Sequence, residues 1–406
     1  MGSQEPTETC SRPWIEWFAR RIDDPVARLK YLQAVTPSVV ARRRRWRSST
    51  GLILAAVLLL AVGGWFILGR TYTRVETVVA AAPKPPPHAV PTPSVAKVWQ
   101  VERSAESETY SNGLRIDTRF EAANHARSYL VFPVDGRDQA RGQLRNQPAG
   151  IVFHTTESRQ APFEAGANGA LKRIGESLLE YVRRQHAYHF LIDRFGRVYR
   201  TVAESDAANH AGYSVWSDDT WFYLNLNESF LGISFEAQTA PGQTESSVTP
   251  AQVQAAALLT EMLRDRYGIS PGNCVTHAQV SVNPENMRVG YHTDWASSFP
   301  FSRLGLPDNY ERALPALADF GFEYDANFLR WAGTRLYAGV ELAEEQLKRQ
   351  SAESGVTPES LRKTLRGRYR RQLAEVRRLQ TGGEEAEGQA RAAAHSLVFP
   401  RSLDGK

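Results

Sequence analysis

Two histidines and one aspartate in the sequence have the side-chain chemistry of a zinc site. His154 lies in the strand-like run GIVFHTTES, His277 follows an apolar segment, and Asp294 comes two residues after His292. A catalytic zinc ion needs three protein ligands of the imidazole, carboxylate or thiolate type and one open position. A lone histidine near an apolar strand is more often a structural residue, and the three are widely spaced. The pattern therefore indicates a metal site only together with its surroundings.

Strands and one well-marked helix are predicted around these residues. The runs AGIVFHTT and YHFLIDRFGRVYRT are rich in β-branched and aromatic residues, which is typical of central strands. The SNG step at 111–113 predicts a hairpin turn. Thr249 and Pro250 predict the start of a helix that ends at Gly268. Together these elements predict a mixed α/β domain over residues 97–308.

A series of phrases over residues 147–302 resembles the zinc-dependent N-acetylmuramoyl-L-alanine amidases and the related peptidoglycan recognition proteins. In chain order they are IVFHTTES at 151–158, YHFLID with its following G-x-V-Y at 188–199, His210-Ala211-Gly212, the N-x-x-S-x-G-I-S-F strand at 227–235, and the threonine-histidine step at 276–277. The resemblance implies a mixed central β-sheet flanked by helices. It also implies hydrolysis of the amide bond between N-acetylmuramic acid and L-alanine in peptidoglycan.

The resemblance implies His154, His277 and Asp294 as the zinc ligands. The sequence departs from the family near the last of them. His292 stands where relatives have lysine or threonine, and the segment 278–291 is longer than the usual link. Metal binding by His292 in place of Asp294 therefore stays open.

Five further residues carry expected roles at the site. His292, when protonated, would donate to the oxyanion of the tetrahedral intermediate. Tyr188 matches a tyrosine of the recognition-protein type of site and would orient or deprotonate water. The intracellular amidases have a glutamate base where this chain has a serine, and Glu236, two residues further on, is the alternative base. His210 and Thr155 are expected to contact the substrate.

Structural roles are alternatives for some of the same residues. Alternation along a strand would put Tyr188 on one face with Phe190 and Ile192, which predicts core packing. Independently of Tyr188, the alternative for Glu236 is a solvated carboxylate, and the alternative for His210 is a histidine on a surface loop.

The composition is that of an ordinary globular protein with a modest basic excess. The chain has 406 residues and a formal net charge of +5, and its length predicts more than one region. Its two cysteines, Cys10 and Cys274, are far apart in the sequence and are not expected to form a disulfide. Much of the positive charge is local, and a nucleic-acid partner is not expected.

The N-terminal part predicts a membrane anchor. Residues 51–69 carry no charge and are long enough to cross a hydrocarbon layer of about 30 Å. The arginine cluster at 42–47 precedes this run, so residues 1–50 are expected in the cytoplasm and the remainder outside the cytoplasmic membrane, in a periplasm. The proline-rich residues 70–96 would form an extended linker. A buried core helix and a cleaved signal peptide are the alternatives.

The cytoplasmic segment would contain a short amphipathic helix or helix pair within residues 12–35. We expect residues 1–40 to have a cytoplasmic partner, whose identity the sequence does not indicate.

The C-terminal part, residues 309–406, predicts helices over 326–350 and 358–380. The second helix is crowded with arginine and lysine, which either form a solvated face or grip anionic wall polymer or lipid. Two other functions fit this organisation. One is a peptidoglycan-binding receptor with weak or no catalysis, and the other is a tether between the membrane and the wall.

Overall fold

The structure is a computed structural model that describes residues 97–135, 141–240, 247–325 and 327–398. Side chains are described through residue 381, except at positions 329 and 331. The predicted amphipathic segment, transmembrane helix and linker lie outside the described residues. Within the described part of the chain, no helix combines the length and the apolarity needed to cross a membrane.

Strands dominate the first part of the described chain, and helices dominate the last part. The strands are β1 (Gln100–Arg103), β2 (Ser107–Tyr110), β3 (Arg115–Asp117), β4 (Tyr129–Pro133), β5 (Gln143–Arg145), β6 (Gly150–Thr155), β7 (Phe190–Ile192), β8 (Val198–Arg200), β9 (Trp216–Ser217), β10 (Trp221–Tyr223), β11 (Phe230–Phe235), β12 (Cys274–Thr276), β13 (Val282–Asn283) and β14 (Arg288–Val289). The helices are α1 (Asn168–Arg184), α2 (Leu226–Ser229), α3 (Pro250–Tyr267), α4 (His277–Val280), α5 (Pro315–Ala318), α6 (Phe328–Glu353) and α7 (Pro358–Val398).

A mixed eight-stranded sheet forms the centre of the domain. Its strand order is β1-β2-β3-β8-β7-β11-β6-β12. Strands β6, β11 and β12 run parallel, and their register places His154 beside Ser234 and Phe153 beside Thr276. Every residue of β6 and β11 is buried, as expected for parallel strands covered on both faces. The predicted mixed sheet with flanking helices is confirmed.

The helix and the turn that were predicted from local sequence signals are present in the structure. The Thr249 side chain accepts a hydrogen bond from the Gln252 amide at 3.2 Å, and the Gln252 side chain accepts one from the Thr249 amide at 3.0 Å. Helix α3 thus begins with a capping box and ends at Gly268, whose φ is +64°. The predicted turn at 111–113 joins the antiparallel strands β2 and β3.

The C-terminal helices pack on the same hydrophobic core as the sheet. Leu336 of α6 and Tyr369 of α7 are buried in the cluster that also contains Phe153 of β6. The Tyr369 ring packs edge-on against Phe320, with the ring centroids 6.0 Å apart. The predicted boundary at residue 308 therefore does not divide the hydrophobic core.

Several arginines of α7 hold this helix to the rest of the molecule. Arg366 Nε donates to the Gly321 carbonyl at 2.8 Å, and Arg368 Nη2 donates to the Asp319 carbonyl at 2.7 Å. These two arginines are therefore engaged within the protein. They are neither simply solvated nor free to bind wall polymer.

Shared core packing predicts a large effect of Leu336→Ala on the stability of the whole domain. Leu336 is 1% exposed, whereas Leu342 on the same helix is 38% exposed. Leu336→Ala should lower the free energy of unfolding by about 2–5 kcal/mol, and the control Leu342→Ala should change it by less than about 1 kcal/mol. Denaturant unfolding of the full-length protein measures both. Equal small effects would contradict a continuous core.

Candidate metal centre

His154, His277 and Asp294 come together in the structure although the sequence separates them widely. Their ligand atoms all lie within 4.8 Å of one another, and all three residues are buried. The two carboxylate oxygens of Asp294 face different histidines. His277 Nδ1 lies 2.9 Å from Asp294 Oδ1, and His154 Nδ1 lies 3.4 Å from Asp294 Oδ2. Among the described residues, this is the group of three or more such side chains that could hold a metal ion.

The sheet and two short connections position these three side chains. His154 lies near the end of β6, and His277 begins α4 directly after the neighbouring strand β12. The Thr155 amide donates to Asp294 Oδ2 at 3.4 Å, and the Ala278 amide donates to the Asp294 carbonyl at 3.2 Å. These bonds link the loop that carries Asp294 to β6 and to α4.

The chain turns sharply just after Asp294. Trp295 adopts a left-handed backbone conformation with a φ of +60°, which is rare for a bulky residue. Its buried indole packs edge-on against Phe299, with the ring centroids 5.3 Å apart. Core packing thus fixes the backbone beside the ligand.

The protonation states of the cluster suit a cation. Burial opposes ionisation of Asp294, but the neighbouring His277 outweighs it and holds the pKa of Asp294 well below its usual range. Burial, reinforced by His277, lowers the pKa of His154 to about 4. At neutral pH a neutral imidazole and a carboxylate therefore face the same point. Two imidazoles and one carboxylate fit a catalytic zinc site.

His210 fixes which nitrogen of His154 carries the proton. His210 Nε2 lies 3.2 Å from the Phe230 carbonyl, which can only accept, so Nε2 must carry the hydrogen. Burial holds the pKa of His210 well below its usual value, so Nδ1 of the neutral ring is an acceptor. His154 Nε2 lies 3.1 Å from that Nδ1 and must donate to it. This leaves Nδ1 of His154, the nitrogen facing Asp294, with a free lone pair.

Two neighbours hold His210 in place. The Asn227 side-chain oxygen accepts hydrogen bonds from three consecutive amides, those of residues 210, 211 and 212, at 2.7–2.8 Å. Gly232 lies directly against the His210 ring, and a Cβ at this position would approach His210 Cγ to 2.6 Å. The His-Ala-Gly phrase, Asn227 and Gly232 therefore form one supporting unit for His154.

Tyr188 adopts an arrangement that strand alternation does not predict. Its φ is +59°, so the backbone leaves the strand conformation just before β7. The Tyr188 ring packs with Leu179 and Leu191 on one side of the sheet, whereas Phe190 and Ile192 lie in the other core cluster. The prediction that Tyr188 shares a face with Phe190 and Ile192 was wrong, because the left-handed residue breaks the alternation.

The Tyr188 side chain faces the metal cluster. Its ring centroid is 5.1 Å from that of His154. Burial raises the pKa of Tyr188 to about 12, and the charge of Asp294 adds to the effect. The hydroxyl is therefore protonated at neutral pH and is suited to donating a hydrogen bond.

His292 lies beside the cluster but outside the three-ligand group. Its ring stacks on that of His277, with centroids 4.4 Å apart, and its amide donates to Ser281 Oγ at 2.8 Å. Desolvation, together with His277, lowers the pKa of His292 to about 4. At neutral pH the ring is neutral in the structure, so the expected oxyanion donor would act through one N–H of an uncharged imidazole.

Glu236 and Thr155 are engaged elsewhere. Glu236 Oε2 accepts from the Arg194 amide at 3.3 Å, and this carboxylate lines a separate cavity beside α1 with Asp193. Burial raises the pKa of Glu236. Thr155 Oγ1 donates to Glu157 Oε1 at 2.5 Å, so its hydroxyl is already satisfied. The roles given to both residues from the sequence stay predictions.

A cavity of about 540 Å³ opens beside His277 and His292. Its lining comes mainly from the loop after His210 and the segment 281–292, and it includes Arg377 of α7. Arg377 belongs to a long basic run in the sequence. Helical periodicity does not show which arginine of such a run reaches a cavity.

Residues 144–294 match the family model described as N-acetylmuramoyl-L-alanine amidase. The match ends at Asp294 and includes both histidines of the cluster. Over these residues the chain is similar to that family. The helices α5, α6 and α7 lie beyond the matched segment.

Individual relatives match shorter parts of the chain. The N-acetylmuramoyl-L-alanine amidase AmiD of Escherichia coli is 31% identical over 116 residues, which cover 26% of this chain and 41% of AmiD. The chain thus matches less than half the length of that curated relative.

Solved structures of the family show partial similarity. A complex of E. coli AmiD with the substrate anhydro-N-acetylmuramic acid-L-Ala-D-gamma-Glu-L-Lys is 26% identical, with a TM-score of 0.29, over 42% of this chain and 61% of that one. The N-acetylmuramoyl-L-alanine amidase LysC from Clostridium intestinale is 23% identical, with a TM-score of 0.24, over 39% of this chain and 83% of that one.

The geometry of the cluster predicts which substitutions remove the metal. His154→Ala, His277→Ala and Asp294→Ala should each abolish stoichiometric zinc, because each deletes one of three converging donors. His292→Ala should keep its zinc. Elemental analysis of the full-length variants measures this, and circular dichroism checks that each variant is folded. If His292→Ala lost its zinc and Asp294→Ala kept it, His292 would be the third ligand and Asp294 would not.

The hydrogen bond between His210 and His154 predicts an effect on affinity for the metal. His210→Ala should weaken zinc binding by about 10–100-fold, the range typical of removing the partner of a ligating histidine. Competition with a chelator measures the affinity. His186→Asn is a matched control, because His186 lies outside the cluster and asparagine tolerates its φ of +47°. Unchanged affinity in His210→Ala would show that the tautomer of His154 is set without it.

Proposed function

We propose that the protein is a zinc amidohydrolase that cleaves the amide bond between N-acetylmuramic acid and L-alanine in peptidoglycan. The observation that carries this proposal is the buried cluster of His154, His277 and Asp294 inside a segment that matches the amidase family. A receptor that only binds would not need three converging side chains of the types that ligate zinc. Catalysis is therefore favoured over binding alone.

The residues around the cluster have distinct tasks in this proposal. Bound zinc would polarise the scissile carbonyl and lower the pKa of water. Tyr188, whose hydroxyl stays protonated, donates a hydrogen bond to the reacting oxygen atoms. His292, whose ring stacks on that of His277, donates from its neutral ring. Tyr291, which is 56% exposed at the cavity rim, offers an aromatic face to a sugar ring.

Two near-isosteric variants test whether Tyr188 or Glu236 takes part in catalysis. Tyr188→Phe keeps the ring but removes the donor, and it should lower kcat by about 100-fold or more. Glu236→Gln should leave kcat close to the wild-type value, because the neighbours that act on Glu236 are Arg194, Asp193 and Arg197 rather than the metal cluster. Release of peptide from a muramyl peptide by the zinc-loaded full-length protein measures both.

If Glu236→Gln lost kcat and Tyr188→Phe kept it, Glu236 would be the base and Tyr188 a packing residue. No hydrolysis by the zinc-loaded wild type, together with retained binding of the muramyl peptide, would favour the receptor instead.

We also propose that residues 51–69 anchor the protein in the cytoplasmic membrane with the amidase domain outside the cytoplasm. The support is the uncharged run preceded by the arginine cluster at 42–47. Reporter fusions placed after residue 100 should be active only outside the cytoplasm. A cytoplasmic signal, or a mature chain that begins near Pro83, would contradict an uncleaved anchor.

A further inference from the structure

Helix α7 forms one wall of the cavity at the metal cluster. Arg377 lines the cavity that His277 and His292 also line. A second cavity adjoins it and shares Arg377, Pro284 and Glu285 with it. The second cavity adds Arg370 and Arg378, which lie on the same helix. A groove lined by arginines therefore leads away from the metal cluster along α7.

The Arg377 guanidinium is held at the junction of the two cavities. It lies over the Tyr213 ring, with its Cζ 5.2 Å from the ring centroid. The Tyr213 hydroxyl donates to Gln380 Oε1 at 2.5 Å, and Gln380 lies three residues after Arg377 on α7. Tyr213 in turn follows the loop that carries His210, the partner of His154. The position of this charge is thus tied to the metal site by a short chain of contacts.

The backbone under Arg377 is also well fixed. Tyr369, Leu373 and Val376 of α7 are buried in the main hydrophobic core. A guanidinium on such a helix face is more precisely placed than one on a loop, which suits it to recognise a ligand.

Arg377 differs from the arginines that hold α7 in place. Arg362 pairs with Glu344, and Arg366 pairs with Glu323, both at 2.5 Å. Within the part of the chain whose side chains are described, no carboxylate forms an ion pair with Arg377. Its charge is therefore available to an anionic group in the groove.

We propose that Arg377 binds a carboxylate of the stem peptide and thereby selects acidic substrates. This inference rests on the proposed amidase function. The scissile bond lies at the amino end of the peptide, so the peptide must leave the metal cluster along the walls of the cavity. Stem peptides carry free carboxylates, and a guanidinium pairs with a carboxylate through two parallel hydrogen bonds. Because α7 lies beyond residues 144–294, this selectivity would belong to the chain and not to the matched segment.

The test compares one muramyl peptide in two forms, with its peptide carboxylates free or converted to amides. With the free acid, Arg377→Gln should raise KM by about 10-fold or more, the range expected for losing a charged hydrogen bond, and should leave kcat unchanged. With the amide form, Arg377→Gln and wild type should have the same KM. Arg349→Gln is the matched control, because it removes the same charge from an exposed site on α6 that lines neither cavity.

Two outcomes would overturn the role of Arg377. One is an equal rise in KM on both forms, and the other is no rise on either. Failure of the amidase proposal is distinguished by calorimetry on the same full-length proteins. If the zinc-loaded wild type cleaves neither form, tighter binding of the acid peptide by wild type than by Arg377→Gln still supports carboxylate recognition. Equal binding by the two proteins rejects it.

Discussion

The site depends on one desolvated carboxylate shared between two imidazoles. Asp294 is buried, yet its pKa is held low, chiefly by His277, whose Nδ1 lies 2.9 Å from Asp294 Oδ1. An isolated carboxylate at this depth would take up a proton, so the charged form of Asp294 needs a polar partner such as His277. The same arrangement turns one nitrogen of each histidine towards a common point. The contact between carboxylate and imidazole that stabilises the buried negative charge of Asp294 thus also creates a site suited to a cation.

The surrounding structure maintains that arrangement from several directions. The parallel neighbours β6 and β12 bring His154 and His277 side by side, and core packing of Trp295 fixes the turn that delivers Asp294. His210 accepts a hydrogen bond from His154 Nε2 and so keeps the proton of His154 on that nitrogen, away from Asp294. Asn227, through three amide contacts, fixes the loop that carries His210. A change at Gly232 or Asn227 would therefore act on the metal through His210, without touching a ligand.

The sequence predicts the parts of this structure that local signals determine. Strand β6, the hairpin turn at 111–113 and the capped helix α3 follow from β-branched runs, turn residues and caps, and all three are present. The ligand set came from the resemblance to the family, and its members meet in space. The left-handed conformation of Tyr188 was not predictable from alternation, because Asn209 and Gly232, distant in sequence, hold the backbone there. Likewise, only the fold shows that His210 contacts His154.

The C-terminal helices show how a chain can add selectivity to a domain without altering its catalytic residues. The three candidate ligands lie within residues 144–294, and the buried face of α7 joins the core of the same domain. This packing turns the neighbouring face of α7 towards the cavity and places Arg377 at its wall. A helix attached only by a linker would not hold a charge at a fixed place. Burial of Tyr369, Leu373 and Val376 is therefore what makes an arginine outside the matched segment a part of the groove.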